Sequence, residues 1–467
     1  MAKKKQLKED IAKQVTVIDR TIPDFLNNEY KAYSKYVIAT RALPSIVDGF
    51  KTGARKIMHA AFHGGLKNGQ ERKVLNLVGD VYNLTLFQHG DASLYGTVFT
   101  EGAEFSDNLN PLTIIGQHGS LRDPKAISAP RYLSVKLSEF ADLYRVDEDL
   151  LEYIFDEGQY IEPYNYFPII PTVLTSRTKG MAPGYAFECF SYNPLDVINA
   201  CKEVLKKGTV KKTVIRPYVR GISEDSFVYD KELERWVNNG AYNVDYKADV
   251  FQITDLPYNI SFDKFEKKLN GYIDNGFIRD WKNYSHDDII DYRVQFPKGT
   301  LQKLMADKKD TVIKNFMLQT LLPRDLLYVL DEHGKVKNFE NAYDLVVYFV
   351  NLRLEKYNER KSRLLDCLKK KLEANSNMVK FIDLVISKKL KISNRTIKEV
   401  QDDMEKNNLP VELLKTSISK LTKEERDALV QKNLDIQKEI DYVTNTTTTD
   451  MYVNDLDALY KDFSYKF

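Results

Sequence analysis

Gly116-Gln117-His118-Gly119-Ser120-Leu121-Arg122-Asp123-Pro124-Lys125-Ala126-Ile127-Ser128-Ala129-Pro130-Arg131-Tyr132-Leu133-Ser134-Val135-Lys136-Leu137 is the stretch from which the chain is best read. Its glycines and prolines make the first part a loop. Its last five residues alternate apolar and polar, the pattern of a half-buried strand. The junction therefore puts the phenol of Tyr132 at the edge of a rigid element, with the Arg131 guanidinium fixed beside it. A phenol has an ordinary pKa of ~10 and is a poor nucleophile until a cation or a base assists it. Arg131 can do so by favouring the phenolate and by holding phosphate oxygens at two points. Taken alone, Tyr132 is one of 29 tyrosines and could simply begin a strand.

Three other segments change that reading: Arg41-Ala42-Leu43-Pro44-Ser45-Ile46-Val47-Asp48-Gly49-Phe50-Lys51, Gln88-His89-Gly90-Asp91-Ala92-Ser93-Leu94-Tyr95 and Pro168-Ile169-Ile170-Pro171-Thr172-Val173-Leu174. In this order and at these separations the four segments closely resemble the breakage-reunion region of type IIA DNA topoisomerases. The resemblance runs from residue 28 to the C-terminus. Four separated motifs in register are a far more specific signal than one short pattern. Several pieces, among them 168–174, look closest to the medium subunit of T4-like bacteriophage topoisomerases and to eukaryotic enzymes.

The resemblance implies an α+β multidomain fold. An N-terminal arm (1–27) would precede a winged-helix domain carrying the tyrosine (28–175), an α/β tower (176–340), a long antiparallel coiled coil with a globular C-gate (341–445) and a C-terminal tail (446–467). Local patterns agree with parts of this. Apolar residues Leu345, Phe349, Leu352, Leu365, Leu368 and Leu372 keep helical spacing, and Leu429, Ile436, Ile440 and Val443 stripe a returning helix behind a Thr422/Glu425 capping box. Met378 to Ile392 is apolar enough for a globular tip.

The 467 residues allow two to four domains, with 43% hydrophobic and 29% charged residues. No run approaches the ~18 apolar residues of a membrane helix. Lys3-Lys4-Lys5 is followed by polar residues, unlike a secretory signal. Cys189, Cys201 and Cys367 are odd in number and widely spaced, and read as reduced thiols of a cytoplasmic protein (host cytoplasm if viral). Net charge is +2, but residues 1–73 carry fifteen Lys and Arg against seven Asp and Glu. A basic end on a neutral chain fits a nucleic-acid-facing surface.

Helices are expected between 29 and 62, broken at Pro44 and Gly49, the second carrying Arg55 and Lys56 outward and Ile57, Met58, Ala60 and Ala61 inward. Val74–Tyr82 and Asp91–Phe99 read as a helix pair around Gln88-His89-Gly90, with Asp91 as N-cap and the second helix facing a duplex. Asp147-Glu148-Asp149 has a magnesium-ligand spacing, but it reads more simply as the first turn of a helix over Leu150–Phe155. Pro168–Leu174 has the composition of a buried strand.

What the resemblance adds is chemistry. Tyr132 would attack a DNA phosphodiester, becoming a 5′-phosphotyrosyl and freeing a 3′-hydroxyl, with Arg131 stabilising the developing charge. Arg41, Lys51, Arg55, Lys56 and His89 would hold phosphates of double-stranded DNA, joined by Arg177 and Lys179, and Ile170 would wedge between base pairs. The chain has no phosphate-binding Gly-x-x-x-x-Gly-Lys loop and no metal site, so Mg²⁺ and ATP are expected on an ATPase/Toprim large subunit. Two copies would pair through the C-gate, relaxing or decatenating DNA. A tyrosine recombinase is the rival enzyme, but no Arg…His-x-x-Arg…Tyr set is present. The non-enzymatic rival is a catalytically silent DNA-bending dimer.

Overall fold

The computed structural model describes residues 20–66, 69–286, 289–391, 395–417 and 421–467, so Lys3–Lys8 and Ile392 lie outside the described residues. The fold is α+β and multidomain. A helical arm runs from Ile22 to Ala42, with π-helical turns at Leu26–Tyr30 and Ile38–Ala42. Leu43 ends it in an extended conformation (φ −96°, ψ 136°), as a residue before proline must. The chain then reverses at Gly49 (φ +74°), where a Cβ would come 2.6 Å from the Thr172 hydroxyl.

Three helices follow: α1 (Thr52–His63), α2 (Val74–Thr85) and α3 (Asp91–Gly102). Ile57, Met58, Ala60 and Ala61 of α1 are fully buried, while α2 ends on Leu86 in the left-handed conformation. The N-cap of α3 is Gly90; Asp91 is its first residue, where its charge favours the helix dipole. Against the helices lies a three-stranded antiparallel sheet, whose central strand Ser134–Leu137 pairs with Arg72–Lys73 on one side and Leu112–Ile115 on the other. The alternation after Tyr132 is thus the middle strand of the sheet.

The segment expected to be helical after Asp149 is instead a hairpin, Tyr153–Asp156 against Gln159–Pro163. Glu157 (φ +44°) and Gly158 (φ +87°) form its two-residue turn, and that left-handed pair dictates a hairpin where the acidic run pointed to a helix start. Asp147 is buried and carries Arg353 and Arg360 of a distant helix, so it is a structural anion.

Residues 179–339 build three sheets. Lys179–Ala182 and Tyr185–Glu188 form a hairpin that joins Leu326–Leu330 and Val336–Phe339, and Ser45 bridges to Leu330. A second sheet, ordered Tyr242–Asp245, Val250–Ile253, Tyr292–Gln295, Asp280–Asn283, packs against helix Phe262–Asp274, whose Phe265 shares a core with Phe251, Tyr292 and Phe316. A third is centred on Arg235–Asn239.

The helix Ala342–Ile386 is 45 residues long and runs antiparallel to Lys423–Asn445. At 1.5 Å per residue it extends ~68 Å, far beyond the span of a small core. Leu368, Ile440 and Val443 form the buried seam, and Phe381, Leu390, Val400, Met404 and Leu409 form a separate core at the tip. Thr422 caps the returning helix through the Glu425 amide. The last helix, Thr448–Phe463, folds back onto the start of the long helix; Tyr452 stacks on Tyr357 at 4.6 Å and its hydroxyl donates to the Ile169 carbonyl (2.7 Å).

Candidate nucleic-acid interface

A cleft of 1690 Å³ opens among the arm, α1, the start of α3 and the 179–188 hairpin. Arg41, Lys51, Lys56, His89, Arg177 and Lys179 all line it. Six of the cations and imidazoles read from the sequence are therefore brought together, though their availability differs. Arg41 and His89 are exposed at the rim. The Arg41 guanidinium lies 3.3 Å from the His89 ring, which also shares a 2.9 Å hydrogen bond with the Tyr36 hydroxyl. Lys179 is exposed and pairs with Glu188 at 3.0 Å.

Deeper in, the cations are committed to the protein. Lys51 donates to the Lys179 carbonyl (2.7 Å), which ties the basic hairpin to the Pro44–Lys51 turn. Burial lowers the Lys51 pKa, and nearby Glu101 raises it again in part. Gly180 lets this approach happen, since a Cβ there would collide with the Ala42 carbonyl. Arg177 donates to the Phe105 carbonyl and lies over the Tyr258 ring (5.8 Å); burial lowers its pKa. Beside Lys51, burial and the neighbouring Asp107 push the Glu101 carboxyl up to about 8, although Lys51 pulls the other way.

Three sequence expectations need correction. Arg55 is buried, not outward: its Nε and Nη2 contact Asp48 at 2.7 and 2.9 Å, so it is unavailable to phosphate. Lys56, half-buried, pairs with buried Glu162 at 2.7 Å and donates to the Thr85 carbonyl (2.7 Å). Both positively charged groups are neutralised by internal anions, because a buried cation without one would be strongly destabilising. Ile170 is fully buried in the main core and presents nothing to a duplex.

An exposed apolar side chain does exist in the same region. Met181 is 75% exposed on the Lys179–Ala182 strand, directly before the Pro183-Gly184 turn. The apolar residue that follows Arg177 and Lys179 in this loop was the signal for it in the sequence.

Tyr132 lies outside the residues lining the cleft. Its side chain is 65% exposed, and the Arg131 guanidinium sits 4.7 Å from its ring centre. The backbone beneath is rigid: Leu133 is buried, and its carbonyl accepts the Val74 amide at the start of α2 (3.0 Å). Lys73 approaches the Tyr132 carbonyl at 3.4 Å. An accessible phenol on a fixed backbone with two cations nearby is suited to attack an anionic ester.

Over residues 41–457 the chain matches the family of DNA gyrase/topoisomerase IV A-subunits. It is 28% identical to the mitochondrial DNA topoisomerase 2 of Dictyostelium discoideum over 461 residues, 94% of this chain and 35% of that protein. It is 30% identical to DNA topoisomerase 2-beta of Homo sapiens over 405 residues, 81% of this chain and 23% of that one. The chain thus spans about a third or less of the length of these relatives. Its fold is similar to the DNA-binding, cleavage and re-ligation domain of Plasmodium falciparum topoisomerase II, with TM-score 0.82, 25% identity, and coverage of 95% of this chain and 65% of that one. Among the described residues no helix is long and apolar enough to cross a membrane. On the match over 41–457 and the shared fold, this chain belongs to the type IIA topoisomerase family of DNA gyrase/topoisomerase IV A-subunits.

Proposed function

We propose that this chain is the DNA-cleaving and rejoining subunit of an ATP-dependent type II topoisomerase, similar to the medium subunit of T4-like bacteriophages. The observation that carries this is the exposed Tyr132 phenol beneath the Arg131 guanidinium, just ahead of the central strand Ser134–Leu137. The Tyr132 Oη forms a bond to phosphorus as the phosphorus–O3′ bond breaks. The phenolic proton passes to solvent, and the departing 3′-oxygen takes one up. Reversal reseals the strand, because one phosphodiester has been exchanged for another of similar energy. Arg131 stabilises the charge that builds on the phosphoryl oxygens.

Two copies, paired through the tip of the coiled coil, act on opposite strands while a second duplex passes between. Arg41 and Lys179 are the cations best exposed to hold phosphates, with the His89 imidazole beside Arg41, and Met181 is the side chain placed to enter a bent base step. The side chains nearest Tyr132, those of Arg131 and Lys73, are cationic and suit phosphate oxygens rather than a divalent cation. This chain's residues therefore do not fit Mg²⁺ at the tyrosine. Mg²⁺ and ATP belong on a separate ATPase/Toprim chain, and the assembly works in the (host) cytoplasm.

The test is covalent trapping. Denaturing the protein during reaction with end-labelled duplex, Mg²⁺ and the ATPase/Toprim partner is expected to leave Tyr132 on a 5′ end. Tyr132→Phe is expected to bind DNA but form no adduct. An adduct in that variant, or one on a 3′ end, would sink the assignment. DNA bending without any adduct in the parent would favour a silent architectural dimer.

A further inference from the structure

We infer that Arg122 is a positioning residue for Tyr132, fastening the loop that carries the phenol to the Asp255–Ile260 segment, whose Tyr258 lines the DNA cleft. This rests on Tyr132 being the nucleophile.

Arg122 lies in the loop between the strand Leu112–Ile115 and the tyrosine, and nothing in the cleavage chemistry uses it. Its Nη1 donates to the carbonyls of Pro257 (2.7 Å) and Ile260 (3.2 Å). Its Nη2 donates to the Leu256 carbonyl (2.5 Å) and to Asp255 Oδ1 (3.1 Å). In return the Arg122 carbonyl accepts the Phe262 amide at 3.0 Å. Burial lowers the guanidinium pKa and Asp255 opposes that shift, so the charge is held by its four acceptors. A planar fork can satisfy several diverging carbonyls at once, which a lysine ammonium cannot match in direction.

The loop is stiff between this anchor and the phenol. Ser120 and Ala126 donate to the Asp123 carbonyl (3.0 and 3.3 Å), Ser128 to Gln117 (2.9 Å) and Tyr132 to Ala129 (2.9 Å). Gly119 adopts φ +89°, with the Pro124 carbonyl at 3.1 Å from where a Cβ would stand. A displacement of Arg122 is therefore passed along the loop and not absorbed in it. The far side of the same segment faces the cleft: the Tyr258 ring lies under Arg177, and both line it. One short segment thus touches the DNA-facing wall through Tyr258 and the nucleophile loop through Arg122. Duplex seated in the cleft would set the segment, and the segment would set the phenol.

Reaction geometry is sensitive enough for this to be seen, since a misplacement of ~1 Å can cost about 100-fold in rate. The experiment uses the assembled holoenzyme, with Arg122→Ala, Arg122→Lys and Tyr132→Phe chains. Single-turnover adduct formation at saturating duplex is compared with equilibrium DNA affinity and thermal midpoint. The expected result is adduct formation slowed about 100-fold in Arg122→Ala, with affinity and its salt slope unchanged. Arg122→Lys should recover part of the rate. Parental rates in either folded variant would overturn the inference. So would a rate loss that merely follows lost affinity or lost stability, or failure of both variants to fold. If Tyr132→Phe still forms an adduct, the nucleophile assignment has failed and not the role of Arg122.

Discussion

Arg55 and Asp48 meet in a two-point ion pair below the cleft, at 2.7 and 2.9 Å, and Asp48 completes its shell with the amides of Phe50 (3.0 Å) and Tyr166 (3.1 Å). The pair therefore joins the turn before α1 to the segment leading into Pro168–Leu174. Removing one partner of such a buried pair leaves the other uncompensated. Arg55→Ala is expected to lower unfolding free energy by about 3–5 kcal/mol in urea titration. The salt slope of DNA binding should not move in the fraction that remains folded. A slope smaller by about one would show that Arg55 reaches phosphate after all.

Arg131 stacks on the Tyr132 ring but packs against no core, so its loss should spare the fold. Arg131→Ala is expected to slow adduct formation by about 10²–10³-fold, the usual effect of deleting one donor to a developing oxyanion. Arg131→Lys should recover only part of this, because the ammonium keeps charge without the fork. An unchanged single-turnover rate in Arg131→Ala would remove the residue from the chemistry.

Ile170 and Met181 separate packing from DNA distortion. Ile170→Ala should cost about 2–5 kcal/mol of stability by opening a core cavity, with duplex bending unaffected. Met181→Ala should leave stability alone while reducing bending, read as fluorescence transfer between the duplex ends. Loss of bending in folded Ile170→Ala, or full bending in Met181→Ala, would reverse the assignment.

Glu101 gives a pH signature. Its carboxyl, pushed up to about 8 by burial and Asp107, holds a proton in the folded protein that the unfolded chain has released above its ordinary value near 4.5. Where the folded state binds the extra proton, stability falls as pH rises. The window is therefore from about pH 4.5 to about 8. Glu101→Gln should remove that part of the decline, so its advantage over the parent grows across the window. Parallel urea midpoints of the two proteins from pH 5 to 8 would disprove the burial effect.

Much of the architecture was legible because local patterns carry it. The Arg131-Tyr132 junction stands at a strand, helices flank Gln88-His89-Gly90, and the apolar spacing from Leu345 onward marks the long helix. What was hidden depended on partners far away in sequence. Lys56 faces Glu162 across 106 residues, and Asp147 faces Arg353 across 206. No helical wheel of α1 reveals that its cations have anions waiting inside. Arg55 is the instructive case, since its partner lies only seven residues back, yet the intervening turn at Gly49 decides that they meet. For Ile170 the composition of Pro168–Leu174 pointed to burial, and the family likeness pointed away from it; burial won. The hairpin at Tyr153–Pro163 was missed because an acidic run ahead of apolar residues looks like a helix start, whereas Glu157-Gly158 alone sets the turn.

The hydroxyl of Tyr452 reaches the Ile169 carbonyl across 283 residues of chain. Thr448–Phe463 leaves the ribosome long after Ile169, so the pocket around Ile169 must wait, unsealed, until that helix has emerged. Contacts of such long range slow folding and leave apolar surface uncovered meanwhile. Newly made chains should thus be vulnerable to proteases and to one another until Thr448–Phe463 has been made, and that helix acts as the latch that ends the exposure.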